Sequence, residues 1–371
     1  MNKIGARRIV LTGGHAATPA VAVVEELLRR EPKRWNIYWI GAKQAIEGRE
    51  FPTLESEVFP KLGVKSSAIA AGRIQRRFSL WTIPAILKIP LGFGHALILL
   101  TRIKPKIILS FGGYAAWPVV LAGWLMRIPV IIHEQTAAAG RANRASSFFA
   151  KKICLARPES LNYFPKGKCV VTGNPVMTQV AEISPKTQKG HPPVVFITLG
   201  SRGSQRINEV VRRALEKLLS GFRVIHLAGL LDKNKFKEIK SKLSKELADR
   251  YELYDRVDPL QIDNLYREAD IVIARAGANT VSEIMATCRP SVLIPIPWSY
   301  LNEQMENALA AQKFGIAEVL PEDRLTPESL LGAVERTNSK WESIVRRVAS
   351  KVSPDKEAAK KLVDLVEETV G

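Results

Sequence analysis

The sequence predicts an α/β protein built from two doubly wound parallel-sheet domains facing each other across a cleft. Three observations carry this. Short apolar runs alternate with amphipathic helical stretches along most of the chain, the pattern of parallel sheets with right-handed crossovers. A glycine-rich turn follows the opening apolar run of each half: Thr12-Gly13-Gly14-His15 after Ile9-Val10-Leu11, and Gly200-Ser201-Arg202-Gly203-Ser204 after Val194–Leu199. A further turn, Arg275-Ala276-Gly277, lies about 75 residues beyond the second and leads into a helical stretch. Each turn alone is weak, because none has full dinucleotide or P-loop spacing. Together they mark strand–turn–helix units at the ligand-binding edges of two such domains.

In the first half, apolar runs predict strands near Arg8–Leu11, Asn36–Ile40, Ile107–Ser110, Val130–Ile132 and Cys169–Thr172. Helical spacing predicts helices over Pro19–Arg30, Ile83–Arg102, Ala115–Met126 and Ala139–Phe149, with Pro19 suited to a first turn. The second half repeats the theme. Strands are predicted at Val194–Thr198, Arg223–Leu227, Glu252–Tyr254, Ile271–Ala274 and Ser291–Ile294. Helices are predicted at Ser204–Ser220, Lys233–Ala248, Ile262–Glu268, Asn279–Ala286 and Leu301–Phe314. A terminal amphipathic helix places Ala358, Leu362, Leu365, Val366 and Val370 on one face. Gly173-Asn174-Pro175 closes the first half, and the polar stretch Ser184–Pro193 reads as a linker. The expected domains are 1–176 and 177–351, with a C-terminal helix about 352–371 packing back on the first.

Size and composition bound the function. A chain of 371 residues is long enough for two full cores, and a mean hydropathy of −0.02 is that of a soluble globular protein. Cys154, Cys169 and Cys288 are odd in number and far apart, which predicts reduced structural thiols in the cytoplasm. The five histidines show no zinc spacing, and no metal site is expected. There is no signal peptide pattern, and the most apolar stretch, Ala115–Ile132, is interrupted by Pro118, Arg127 and Pro129.

The net charge of +19 is concentrated in residues 1–150, which carry 21 Lys and Arg against 8 Asp and Glu. Between Val58 and His133 there is no acidic residue. Inside this window, Arg73–Lys88 mixes cations with Phe78, Leu80, Trp81 and Ile83. Cations interleaved with large apolar side chains suit an anionic membrane surface, and the 73–106 region is the expected contact. Nucleic acid is not expected, because its faces pair cations with stacking aromatics and polar groups rather than Ile and Leu.

The turn after Ile271–Ala274 leads into Asn279, Thr280 and Ser282, all candidate N-caps. Glu283 is expected in the first helical turn, where a carboxylate is electrostatically favoured. It is suited to gripping vicinal hydroxyls such as those of a ribose. An ordinary βα turn with a capping Glu is the alternative.

Seven motifs in order resemble the MurG-type glycosyltransferases of the two-domain GT-B architecture. They are Thr12–His15, Gly112-Gly113-Tyr114, His133-Glu134-Gln135, Gly173-Asn174-Pro175-Val176, Gly200-Ser201, Arg275–Ala278 with Thr280–Glu283, and Gln304 with Asn307. The resemblance implies inverting transfer of GlcNAc from UDP-GlcNAc to the C4 hydroxyl of undecaprenyl-diphospho-muramoylpentapeptide. The enzyme would be cytoplasmic and peripheral on the inner face of the cell membrane. It implies His15 as general base, with Glu134 as a competing base or an orienter of the acceptor. Thr12, Gly13, Gly14, Tyr114, Thr136 and Asn174 would line the acceptor side. Ser201, Arg202 and Gly203 would receive the diphosphate. Ala278, Asn279, Thr280, Val281, Ser282 and Glu283 would hold nucleotide and ribose, Gln304 the transferred GlcNAc, and Asn307 would support it. No cofactor and no obligatory metal are expected.

Three positions depart from the family pattern. Thr136 stands where Asn is usual, Met177 where Arg is usual, and Arg202 where Gln is usual. If positions 177 and 202 both face the cleft, the gained Arg compensates the lost one. Other functions remain open on the same architecture: a different lipid-linked sugar acceptor, a UDP-sugar epimerase, or a membrane scaffold with a decayed site.

Overall fold

The computed structural model describes residues 6–14, 17–31, 34–42, 54–70, 82–200 and 203–371. The chain forms two compact units. Unit 1 is Met1–Thr178 with Pro354–Gly371, and unit 2 is Gln179–Ser353.

Unit 1 runs β1 (Arg7–Gly13), α1 (Ala17–Arg30), β2 (Trp35–Ala42), α2 (Leu54–Val58), β3 (Lys65–Ile69), α3 (Thr82–Ile103), β4 (Ile107–Ser110) and α4 (Ala116–Leu125). It continues through β5 (Val130–Glu134), α5 (Arg141–Ser146), β6 (Lys152–Leu155), β7 (Cys169–Val171) and the short α6 (Thr178–Ala181) at the unit boundary. Among the described residues its sheet is all parallel, in the order β3-β2-β1-β4-β5-β6-β7. The order reverses between β1 and β4, so the turns following these strands open a crevice at the switch point. Thr12 pairs with Ser110, and Ser110 with Ile132, which brings the C-terminal ends of β1, β4 and β5 to one edge.

Unit 2 runs β8 (Val194–Thr198), α7 (Gln205–Gly221), β9 (Arg223–Leu227), α8 (Lys233–Lys242), α9 (Lys245–Asp249), β10 (Tyr251–Tyr254), α10 (Ile262–Glu268) and β11 (Ile271–Ala274). Then follow α11 (Ala278–Thr287), β12 (Ser291–Leu293), α12 (Glu303–Phe314), β13 (Ala317–Val319), α13 (Pro327–Ser339) and α14 (Trp341–Ala349). Its sheet is parallel in the order β10-β9-β8-β11-β12-β13, with the switch point between β8 and β11. Alternate residues serve opposite faces. Val195, Ile197, Ile271 and Ile273 pack in one core cluster, and Val194, Phe196, Val272 and Ala274 in another. Burial on both faces is why these strands read as unbroken apolar runs.

The terminal helix α15 (Ala358–Val370) belongs to unit 1. Leu362, Val363 and Val366 are buried, Arg30 pairs with Asp364 and Glu367 at 2.8 and 3.0 Å, and Arg7 Nη2 donates to the Gly371 carbonyl. The stretch after Ser184 is fixed to unit 2 by the buried Asp270. Its carboxylate accepts from Lys186 Nζ at 2.7 Å, Gly190 N at 3.1 Å and Val194 N at 2.8 Å.

Several elements differ from the periodicity reading. The strands β3, β6 and β13 and the helices α13 and α14 go beyond it. Strand β3 is largely polar with Ile69 as its buried residue, because it is an edge strand covered on little of its surface. The single helix expected over Lys233–Ala248 is two. Leu243 and Ser244 are extended, and Ser244 Oγ caps the second piece at Leu247 N. The helix expected from Leu301 begins at Glu303, since Leu301 and Asn302 are left-handed, at φ 50° and 54°. None of the described helices is long and apolar enough to cross a membrane.

Candidate active site

In unit 1 two glycine turns pack backbone to backbone. Gly14 N donates to the Gly112 carbonyl at 2.9 Å. A Cβ on Gly113, whose φ is +87°, would lie 2.7 Å from both N and Cα of Gly14. A side chain on Gly112 would likewise strike the Asn143 amide. Glycine is therefore required here by close approach as well as by φ. Gly113→Ala is expected to cost about 1–3 kcal/mol and to displace the turn that leads to His15. Gly94→Ala, in α3 with nothing near its added Cβ, is the control and should be neutral or stabilising. Urea midpoints of the two variants decide this, and equal midpoints would refute the packing requirement.

Glu134, at the end of β5, is 3% exposed and already fully engaged. Its Oε1 accepts from Thr136 N at 3.1 Å and Thr136 Oγ1 at 2.9 Å. Its Oε2 accepts from Gly140 N at 2.8 Å and Asn143 Nδ2 at 3.0 Å. This geometry braces the 135–140 loop and leaves little capacity to take a proton from a substrate. The hydroxyl of Thr136 serves that brace. Gln135 Nε2 donates to the Phe111 carbonyl, tying the same loop to the β4 turn. Tyr114 is partly exposed beside this turn, whereas Thr12 is fully buried.

Asn174 is fully buried, and its backbone N donates to Asp355 Oδ1 at 2.7 Å. Asp355 also accepts from Arg157 Nη1 and Nη2 at 2.7 and 2.8 Å. His133 Nε2 lies 3.0 Å from the Gly173 carbonyl, and burial pushes the ring's pKa down to about 4, so it stays neutral and donates. Met177 is 2% exposed.

In unit 2 the turn after β8 is held from three sides. Gly203 has φ +72°, and a Cβ there would collide with the Ala228 carbonyl. Asn208, in the first turns of α7, donates to that carbonyl at 2.9 Å and to Asp232 Oδ2 at 2.6 Å. Its Oδ1 takes His226 Nε2–H, so His226 Nδ1 accepts from the Tyr251 hydroxyl at 2.9 Å. Burial lowers the His226 pKa to about 3, which keeps this network uncharged at the ring. Arg275 Nη2 donates to Ser204 Oγ at 2.8 Å, and the guanidinium also pairs with Glu322. A cation is thus fixed beside the N-terminus of α7, a place suited to an anion.

The N-cap of α11 is Gly277, with no side-chain cap, rather than Asn279, Thr280 or Ser282. Starting at Ala278, the helix puts Glu283 in its second turn, not its first. Its period also sends Val281 and Ser282 inward, at 1% and 0% exposure, with Val281 in the core of the unit. Ala278, Asn279, Thr280 and Glu283 keep partial exposure. Glu283 Oε2 accepts from the buried Tyr266 hydroxyl at 2.9 Å. Desolvation dominates that bond and raises the carboxyl to about 7.

Asn307 is buried and donates to the Ala276 carbonyl at 3.2 Å, bracing the β11 turn from α12. Gln304 Oε1 accepts from Ile296 N at 3.1 Å, which leaves its Nε2 hydrogens as donors to a ligand. The left-handed Leu301 and Asn302 immediately before it each cost about 1–2 kcal/mol.

His15, Ser201, Arg202 and the strip Arg73–Trp81 lie outside the described residues. Among the described residues no group of His, Cys, Asp and Glu is arranged to hold a metal. Three supporting residues escape sequence reasoning: Asn143, Asp355 and Arg275 as a partner of Ser204. Only the Arg275 motif carried a sequence signal, its place next to Ala276-Gly277.

Residues 11–155 match the glycosyltransferase family 28 N-terminal domain, and residues 194–365 the glycosyltransferase family 28 C-terminal domain. A protein of Lachnoclostridium phytofermentans is 34% identical over 98% of this chain and 99% of its own length. Its name is UDP-N-acetylglucosamine–N-acetylmuramyl-(pentapeptide) pyrophosphoryl-undecaprenol N-acetylglucosamine transferase. A Legionella pneumophila protein of the same name is 33% identical over 97% of this chain and 96% of its own. The crystal structure of Acinetobacter baumannii MurG superposes with a TM-score of 0.72 at 25% identity, covering 98% of this chain and 99% of that one. The UDP-GlcNAc 2-epimerase of Neisseria meningitidis, at 16% identity and a TM-score of 0.63, shares the fold.

Proposed function

The chain belongs to glycosyltransferase family 28, and from that membership we propose that it transfers GlcNAc from UDP-GlcNAc to the C4 hydroxyl of the MurNAc of undecaprenyl-diphospho-muramoylpentapeptide. The observation that carries this is full-length similarity, at 34% identity, to a transferase named for that reaction. Unit 2 takes the donor. We assign the diphosphate to the N-terminus of α7, near the Gly203 turn and the Arg275 guanidinium, with Ser201 and Arg202 as the contacts the family resemblance implies. Glu283 grips the ribose hydroxyls, and Gln304 Nε2 donates to the transferred sugar. Unit 1 takes the acceptor at the bare backbone of Gly13, Gly14 and Gly113, beside Tyr114. His15 removes the proton from the attacking hydroxyl, which displaces UDP from the opposite face with inversion. The residues around the diphosphate supply its countercharge, so no metal is obligatory.

The test is incubation with UDP-GlcNAc and a lipid I analogue. A β-linked disaccharide product is expected, at the same rate in EDTA as in Mg²⁺. No product overturns the reaction, and Mg²⁺-dependent rescue overturns the metal-free account.

Donor binding carries its own pH signature. The ionised form of Glu283 accepts the ribose hydroxyls, and its pKa of about 7 in the free protein means it is substantially protonated below neutrality. UDP affinity should therefore rise from pH 6 to pH 8, with proton release on binding near pH 7. Glu283→Gln should weaken UDP by about ten- to hundredfold at pH 8 and flatten the slope. Calorimetric titrations at both pH values check this. A variant that kept the parent's slope would exclude Glu283 as its source.

A lipid-linked acceptor is met at a membrane surface, and we propose that unit 1 makes the contact. On α3, Leu91 and Ile98 are 60% and 50% exposed. Trp124, Leu125 and Phe148 extend the apolar exposure onto α4 and the turn after α5. Phe149 packs against both Trp124 and Phe148, at centroid distances of 5.0 and 5.6 Å, and Lys168 Nζ donates to the Phe148 carbonyl. Apolar rings flanked by cations suit an anionic bilayer on its inner face.

A further inference from the structure

Trp298 is a large apolar residue exposed on unit 2. It is 68% exposed on the loop that joins β12 to α12, at the C-terminal edge of the sheet where the β8 and β11 turns also end. A single exposed apolar residue is ordinary on a surface. This one sits on a loop whose shape is over-determined. Gln304 holds both sides of it: its Oε1 accepts from Ile296 N at 3.1 Å, and its backbone N donates to Ser299 Oγ at 3.2 Å. Trp298 lies between those two anchors. The loop then closes through consecutive left-handed residues, Leu301 and Asn302, neither of them glycine. Such strain persists where the surrounding structure enforces it, and it gathers at ligand sites. These contacts and the left-handed pair fix the backbone that carries Trp298 next to Gln304.

We propose that Trp298 is a specificity-determining residue that stacks on the apolar face of a pyranose ring while Gln304 Nε2 binds the ring's hydroxyls. This rests on the transferase reading above. The indole supplies a flat apolar surface with little entropy to lose, and the C–H face of a hexosamine is its complement. Gln304 serves the transferred sugar in that reading, so the stacked ring is the donor's N-acetylated hexosamine.

The experiment compares the parent with Trp298→Ala and Trp298→Phe. UDP and UDP-GlcNAc are titrated calorimetrically, and steady-state constants are measured with the lipid I analogue. Trp298→Ala is expected to weaken UDP-GlcNAc about tenfold and to leave UDP unchanged. A rise in the acceptor KM alone, with both nucleotide affinities held, overturns the assignment to the donor sugar. kcat changes little and Trp298→Phe restores most of the loss, a pattern that general loop damage does not produce. An active parent whose constants all survive Trp298→Ala within twofold overturns the stacking role alone. So does equal loss of UDP and UDP-GlcNAc binding. A parent that yields no disaccharide overturns the transferase reading, and the stacking role with it.

Discussion

Asp355→Ala is expected to destabilise unit 1 by about 3–5 kcal/mol. Asp355 has no exposed surface, and Arg157 is 5% exposed. The carboxylate takes both guanidinium nitrogens of Arg157 and the amide of Asn174. Removing it leaves a buried guanidinium without its counterion and an amide without its acceptor. Desolvation lowers the Arg157 pKa, and Asp355 more than reverses this, so the pair holds the guanidinium charged. For a unit of this size the expected loss corresponds to a fall in Tm of about 6–20 °C, read by calorimetry. Arg157→Met combined with Asp355→Leu should recover most of it, because replacing a buried pair by apolar groups avoids the uncompensated charge. A single variant within about 1 kcal/mol of the parent would show that the pair contributes little. The consequence extends beyond stability, since Asp355 ties the returning chain before α15 to the Gly173-Asn174 turn.

His15→Ala is the second large effect, this time on chemistry. Loss of the general base proposed above is expected to lower turnover by about 10²–10⁴-fold, with UDP affinity and Tm unchanged. The residue follows Gly14, whose backbone is pinned to Gly112 and packed on Gly113. Glu134 makes a poor substitute base, because each of its oxygens already accepts two hydrogen bonds. Activity should therefore fall without a fallback, and the pH–rate profile should lose its acidic limb. Turnover within threefold of the parent would remove His15 from the chemistry and leave acceptor activation to another group.

Much of the architecture is legible in one dimension. Ile107–Ser110, Val194–Thr198, Arg223–Leu227 and Ile271–Ala274 are strands with the bounds their apolar runs imply. A strand buried on both faces is mostly apolar, so its run marks it closely even where Arg223 and His226 fall inside it. The glycine turns after β1 and β8 are legible for the same local reason. Two of the edge strands are not: β3 and β13 bury little, so their composition carries little signal, whereas the edges β7 and β10 are legible.

The sequence by itself determined the two-sheet plan, the turns that crown each sheet, and the set of chemically capable residues near those turns. Only the tertiary structure decided which of them are buried braces and which keep accessible surface. Glu134 is a brace because Asn143 and Gly140 come round to it. Asn174 is buried because Asp355, 181 residues away, meets its amide. Val281 and Ser282 point into the core because α11 starts at Ala278, which fixes the phase of its period. Arg275 reaches Ser204 because β8 and β11 are neighbours in the sheet. Composition and spacing report local conformational preference, whereas these partnerships depend on strand order, register and helix phase, which are set when distant segments pack.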